Sequence, residues 1–249
     1  MKVKLNPTAV TDKNIAEFLN ERRFTVLFSG GKDSLATLLW VLNNVQHNDW
    51  NILYIEVTGN THPLCIEYVK NTCRSLGVYN KLVTAKRNDL DFFECLRRWG
   101  VPIIGKYRWC MYQFKLKLMK AYSHLTVVTG VRRSDSHIRR KILPIGFFKI
   151  TKNVSVNPIY NWNKKQVLAY IRKHGLELNP CYKIYGHSGS CMFCPYHNKR
   201  QIILTLQDPE WREKILSSLA AGKGPISREK YLKWMKYSKL KAITRYLEK

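Results

Sequence analysis

The stretch FTVLFSGGKDSLATLLW, Phe24 to Trp40, constrains the fold more than any other part of the chain. Phe24, Val26, Leu27 and Phe28 form an apolar run with little alternation, the pattern of a strand buried on both faces of a parallel sheet. Leu35, Leu38, Leu39 and Leu42 recur at helical spacing. The segment Ser29-Gly30-Gly31-Lys32-Asp33-Ser34 therefore lies where a strand ends and a helix begins. The first N–H groups of a helix lack internal partners and carry the positive end of its dipole, so the junction attracts an anion. Gly30 and Gly31 let the backbone approach closely, and Lys32 adds a full positive charge. Asp33 and Ser34 can cap the helix or help to hold a magnesium ion. The G-x-x-x-x-G-K-[ST] spacing of a Walker A loop is absent. The ligand expected here is a phosphate group, and specifically that of a nucleotide.

The rest of the first half repeats this unit. Strands are expected at Phe24–Ser29, Ile52–Val57, Lys81–Ala85 and Leu125–Val131. Helices are expected at Ser34–Asn44, Leu64–Leu76, Leu90–Trp99 and Met111–Tyr122. Such alternation predicts an α/β fold, a Rossmann-like parallel sheet with helices on both faces and the ligand at the carboxyl ends of the strands. Residues 1–152 are read as this nucleotide-binding domain. Residues 153–249, packed on the same domain, hold a helix near Lys164–His174, a cysteine-containing loop and a basic helix at Arg228–Lys249. Tyr231, Trp234, Tyr237 and Tyr246 stand among the lysines of that last helix, a combination suited to unpaired nucleotides.

Charge separates this chain from an ordinary small-molecule enzyme. Its 249 residues carry 43 Lys plus Arg against 17 Asp plus Glu, a net charge of +26. That excess exceeds what one small anion requires and favours a polyanionic partner, so nucleic acid is expected. No apolar run reaches the roughly 18 residues of a membrane span. The first residues lack the apolar core of a signal peptide, which makes a cytoplasmic location the expectation. In such a compartment cysteines serve metal or redox chemistry before disulfides. Cys65, Cys73 and Cys95 read as buried thiols. Cys110, Cys181, Cys191 and Cys194, the last two in a C-x-x-C, read as a metal site. Four thiolates select zinc or an iron–sulfur cluster, and His187 and His197 are substitute ligands in the zinc case.

Several segments, taken in order, bring a family into view. SGGKDS resembles the PP-loop of the ATP pyrophosphatases, within the adenine-nucleotide alpha-hydrolase-like fold. YIEVTGNTHPLCIEYV, GKYRWCMYQFKLKLMK, GVRRSDSHIRR, NPIYNWNKKQVLAYIRKHGLELNPCY and SGSCMFCP resemble successive motifs of the phosphoadenylyl-sulfate (PAPS) reductase family. Two departures from the family pattern stand out. Asp135 occupies the position of a usual glutamate, and Cys194 is the last cysteine, so the Glu-Cys-Gly-x-His segment that carries the reductase nucleophile is not found.

The resemblance implies roles for particular residues. Ser29, Gly30, Gly31, Lys32, Asp33 and Ser34 would cradle the phosphates of ATP with Mg2+, or the anionic end of adenylyl sulfate or PAPS. Thr58 and Gly59 would lie against the adenosine, and Gly130, Arg132, Arg133 and Asp135 would complete the nucleotide site. Lys32, Asp33 and Arg132 would be catalytic. The four cysteines would carry a [4Fe–4S] cluster, with Zn2+ as the alternative. The function expected is adenylation with pyrophosphate release, coupled to sulfur transfer onto tRNA or DNA, with a sulfur-donor protein as a further partner. PAPS or adenylyl-sulfate reduction is the alternative, and a non-catalytic nucleic-acid-binding protein on this fold is the third reading.

Overall fold

The structure, a computed structural model, describes residues 10–102 and 108–221. The basic helix expected at Arg228–Lys249 lies outside them. Contacts divide the described residues into two compact units, one within residues 10–55, 69–85 and 116–178, the other within residues 56–68, 86–102, 108–115 and 179–221.

The first unit holds a six-stranded sheet. Its strands are β1 (Phe24–Leu27), β2 (Trp50–Ile55), β3 (Leu82–Ala85), β4 (Thr126–Val128), β5 (Ile145–Phe148) and β6 (Asn153–Val156). They lie in the order β3-β2-β1-β4-β6-β5. All neighbours are parallel except β5, which pairs antiparallel with β6 at the edge. Phe24, Val26, Ile52, Leu53, Val127, Val128 and Val156 are buried, as apolar strand runs require when both faces are covered. The helices of the chain begin with α1 (Asp12–Asn20), α2 (Lys32–Asn44) and α3 (Pro63–Ser75). Next come α4 (Phe92–Trp99), α5 (Lys117–Tyr122) and α6 (Lys164–Lys173). In the first unit α2 packs on β1, α1 and α6, and α5 packs on β2 and β3.

The sequence reading placed four parallel strands and their helices at the positions observed, to within a few residues. It did not place β5 and β6, a hairpin closed by Lys149–Lys152 with Lys152 at a φ of 58°. The helix expected at Met111–Tyr122 divides into a π-helical turn, Met111–Leu116, followed by α5.

The second unit packs α4 against α9 (Pro209–Ala220), with α7 (Cys181–Tyr185) and α8 (Lys199–Gln207) beside them. Its core is aromatic, built on Phe92, Phe93, Trp109, Phe114, Phe193 and Trp211. Asn60 is fully buried and clamps the cysteine loop: its Nδ2 donates to Phe193 O at 3.0 Å and its Oδ1 accepts from Phe193 N at 2.8 Å. No helix of the described residues is long and apolar enough to cross a membrane.

The Asn60 clamp yields a stability prediction. Asn60→Ala leaves a buried N–H and C=O of Phe193 without partners, at roughly 1–3 kcal/mol each. Urea unfolding of Asn60→Ala is expected to show a loss of about 2–4 kcal/mol, and a loss below about 0.5 kcal/mol would show the clamp to be dispensable.

Candidate functional site

The strand order creates one switch point. From β1 the chain runs outward through β2 to β3, then returns to β4 on the other side of β1. The loops after β1 and β4 therefore open onto the same crevice at the carboxyl end of the sheet, where ligands bind in open α/β folds.

The first loop carries the glycine pair into α2. Gly30 has a φ of 74°, a conformation that favours glycine, and Gly31 is the N-cap without any side-chain cap. Ser34 ties the loop together, accepting from Ser29 N at 3.2 Å and donating to Gly31 O at 2.9 Å. Lys32 Nζ pairs with Asp33 Oδ2 at 2.5 Å. The second loop lies directly on this helix start. A Cβ on Gly130 would stand 2.8 Å from the Asp33 carbonyl carbon and 3.0 Å from Ser34 N, so only glycine fits.

Arg132 is the electrostatic centre of the crevice. It is 5% exposed, with Nε 2.9 Å from Asp33 Oδ1 and Nη2 2.5 Å from Asp135 Oδ1. Asp135 in turn pairs its other oxygen with Arg139 Nη1 at 2.5 Å. Lys32, Arg132 and Arg139 thus share two carboxylates, which leaves a positive excess of one charge. Arg132 Nη1 has no hydrogen-bond partner among the described residues, and Nε faces Asp33 without hydrogen-bond geometry. Buried donors are almost always satisfied, so this guanidinium has hydrogen-bonding capacity that the described residues do not use. Arg133, by contrast, turns outward and lines an open pocket of about 520 Å³ with Ser134, Arg140 and Asn161.

Thr58 and Gly59 belong to the second unit and are committed to local structure there. Thr58 Oγ1 donates to Arg87 O at 2.6 Å, and Thr58 O accepts from Phe92 N at 2.9 Å. Gly59, at a φ of 80°, lies against Asp91, the cap of α4: a Cβ would fall 1.9 Å from Asp91 Oδ2.

The thiols divide as the sequence spacing does not show. Cys65, Cys73 and Cys95 are buried as expected, and burial pushes the Cys73 and Cys95 thiols up to about 11. Cys110, Cys191 and Cys194 come together around Lys115, a residue of the π-helical turn that the sequence reading missed. The Lys115 ammonium is held protonated by Cys191, to which it is hydrogen-bonded, and by Cys194 and Cys110. Burial pushes Cys110 up to about 11 and Cys194 up to about 12, with the neighbouring Cys191 adding to both. Cys181 takes no part in these interactions: it is fully buried, its N–H bound to Asn179 Oδ1 at 2.9 Å. Among the described residues no three His, Cys, Asp or Glu side chains are arranged to hold a metal ion. His187 is likewise occupied, its Nδ1 accepting from Gly189 N and its Nε2 pairing with Thr205 Oγ1. It stacks on His197 at 4.0 Å between ring centroids.

The crevice defines the class, an α/β nucleotide-binding fold with an anion cradle at its switch point. The model of the phosphoadenosine phosphosulfate reductase domain matches residues 23–195. The chain belongs to that family. It is 27% identical over 178 residues to an uncharacterized protein of Methanocaldococcus jannaschii, covering 68% of this chain and 35% of that one. It is 31% identical over 67 residues to the adenosine 5'-phosphosulfate reductase of Anoxybacillus flavithermus, 27% of this chain and 28% of that enzyme. The chain thus spans about a third of the length of these curated relatives. Among solved structures, the phosphate complex of the PAPS reductase of Candida auris superposes with a TM-score of 0.51 at 17% identity. The match covers 71% of this chain and 85% of that one, and it establishes the shared fold.

Two predictions follow from this geometry. Gly130→Ala displaces the start of α2 and is expected to weaken ATP binding at least tenfold in calorimetric titration; unchanged binding would separate that helix start from the nucleotide. His187 is held far below the ordinary histidine range, to about 4, by burial and then by the nearby His62. Its only acceptor nitrogen already faces the Gly189 N–H. The unfolded chain binds this proton near pH 6.5 and the folded chain does not. Stability is therefore full above pH 6.5 and falls on the order of 3 kcal/mol as pH drops toward 4. His187→Gln is expected to flatten that decline in denaturant melts at pH 7 and pH 5; an equal decline in the variant would contradict the assignment.

Proposed function

We propose that this family member is an ATP-pyrophosphatase-type enzyme that adenylates its target and couples the step to sulfur transfer onto nucleic acid, by the chemistry of tRNA thiolation or DNA phosphorothioation. The observation that carries the reading is the unsatisfied Nη1 of buried Arg132 beside the glycine loop and Lys32. In this reading the β- and γ-phosphates of ATP occupy the loop and accept from Arg132. An oxygen of the acceptor attacks the α-phosphorus, the bond to the bridging oxygen breaks, and pyrophosphate leaves with the electron pair. Lys32 and Arg132 offset the charge that develops on it. Asp33, released from its ion pair with Lys32, is placed to bind Mg2+. A sulfide then displaces AMP, which departs with the acceptor oxygen.

Cys110, Cys181, Cys191 and Cys194 are the residues this reading assigns to an iron–sulfur cluster. Their sulfur atoms are soft donors of the kind such a cluster takes, but among the described residues they are not arranged as a metal-holding group. When bound, such a cluster would supply iron for handling inorganic sulfide. The net charge of +26 supports a polyanionic acceptor. The 31% identity with an adenosine 5'-phosphosulfate reductase favours a second reading, reduction of an adenylyl sulfate in the same crevice.

Pyrophosphate release from Mg-ATP by anaerobically purified protein, with and without tRNA or DNA, tests the proposal. Release that rises with one nucleic acid is expected; sulfite formation from adenylyl sulfate without any ATP turnover would instead establish the reductase. Lys32→Ala and Arg132→Met are each expected to lower release by about 10²–10³-fold while leaving iron and acid-labile sulfide intact. Cys191→Ala is expected to lose the iron and keep ATP binding.

A further inference from the structure

The edge of the sheet farthest from β3 has a surface that the nucleotide site does not use. Between His137 and Lys152 the chain has five Lys or Arg and no Asp or Glu. Arg139 is paired with Asp135, while Lys141, Lys149 and Lys152 form no ion pair among the described residues. Apolar side chains stand exposed among these cations: Ile138 at 76%, Phe147 at 62% and Ile150 at 63%. Phe147 lies on edge strand β5 and Ile150 in the turn that follows it. The segment is held in place by backbone contacts. Phe147 pairs with Val154 of β6, Asn157 N donates to Pro144 O at 2.7 Å, and Tyr160 OH donates to Arg140 O at 3.0 Å.

We infer that this edge, centred on Phe147 and Ile150 with Lys141 and Lys149, is the docking surface for a single-stranded segment of nucleic acid. The inference rests on the reading of the acceptor as nucleic acid and locates where it is gripped. Several observations select that occupant. A segment with five cations and no acidic residue is complementary to phosphates and repels a second copy of itself. An edge strand of only four residues, with Lys149 directly after it, is a poor template for pairing with another strand. An exposed aromatic ring among cations offers a platform for a base, whose face is available only when it is unstacked. A duplex keeps its base faces covered, so it would engage the lysines without the ring.

Fluorescence anisotropy with a labelled RNA of about 12 nucleotides, the corresponding DNA, and the duplex of each tests the inference. Single strands are expected to bind more tightly than duplex. Phe147→Ala is expected to weaken single-strand binding roughly tenfold with no change in its salt dependence, and Phe147→Trp to retain it. Lys141→Ala with Lys149→Ala is expected to reduce the slope of log K against log salt by about 1.4, the value for two phosphates of a single strand. Thermal melts of the variants should match the parent, as these side chains are exposed.

Wild-type affinity in the Phe147→Ala and the double-lysine variants would overturn the inference. So would tighter binding of duplex, or concentration-dependent self-association that Phe147→Ala abolishes, which would make the edge an interface between copies. Failure here is distinguishable from failure of the proposed function. If nucleic acid stimulates pyrophosphate release equally in the parent and in Phe147→Ala, the docking surface is wrong and the enzymatic reading stands. If the edge variants lose single-strand binding while no form releases pyrophosphate, the surface stands and the enzymatic reading falls.

Discussion

The geometry of the crevice depends on the approach of Gly130 to the backbone of Asp33. That contact places the loop after β4 on the first turn of α2, and it brings Arg132 to Asp33 in the interior of the crevice. A buried guanidinium is tolerable only with carboxylates around it, and Asp33 and Asp135 serve that purpose. The carboxylates occupy two faces of the guanidinium and leave Nη1 without a partner. The crevice therefore keeps one buried donor that its own carboxylates do not take up. Its cations are already held in place, so a phosphate that enters meets donors needing little rearrangement.

The two units carry different chemistry. The first holds hard donors for oxygen anions: glycine-loop amides, a lysine and arginines. The second holds soft donors, three cysteines in mutual interaction around Lys115. Their scaffolds differ accordingly. The glycine loop is built on the ends of parallel strands, whereas the cysteine loop is held by the Asn60 side chain and Lys115 is carried on a π-helical turn. A π turn carries one extra residue in the helix and alters which side chains share a face, as is common where helices serve chemistry.

How much of this was legible in the sequence depended on whether the signal was local. The glycine loop and the strand before it are contiguous, so the strand-to-helix junction at Ser29 to Ser34 was legible. Strands β1 to β4 carry apolar runs and were found. The β5–β6 hairpin was missed because its turn, Lys149–Lys152, lacks the glycine or asparagine that announces a hairpin, and Lys152 takes the left-handed conformation instead. Arg132 could be named from its motif, but its pairing with Asp33, 99 positions away in the chain, is a product of the strand order. Lys115 carried no signal, since one lysine among several in KLKLMK is distinguished only by the π turn that aims it at the thiols. Spacing grouped Cys181 with Cys191 and Cys194; Cys181 lies against Gly189 with its N–H bound to Asn179, in the core cluster on which Cys110 and Cys191 also pack.

Calorimetric titration of the protein with Mg-ATP, in the parent chain and in Arg132→Met, tests the central claim most directly. A guanidinium poised for phosphate predicts saturable binding by the parent and a loss of at least about tenfold in the variant, measured below its melting temperature because Asp33 and Asp135 lose their shared partner and thermal stability falls with it. Equal affinity in the two proteins would show that the unsatisfied donor has no part in nucleotide recognition, and the reading of the crevice would fall with it.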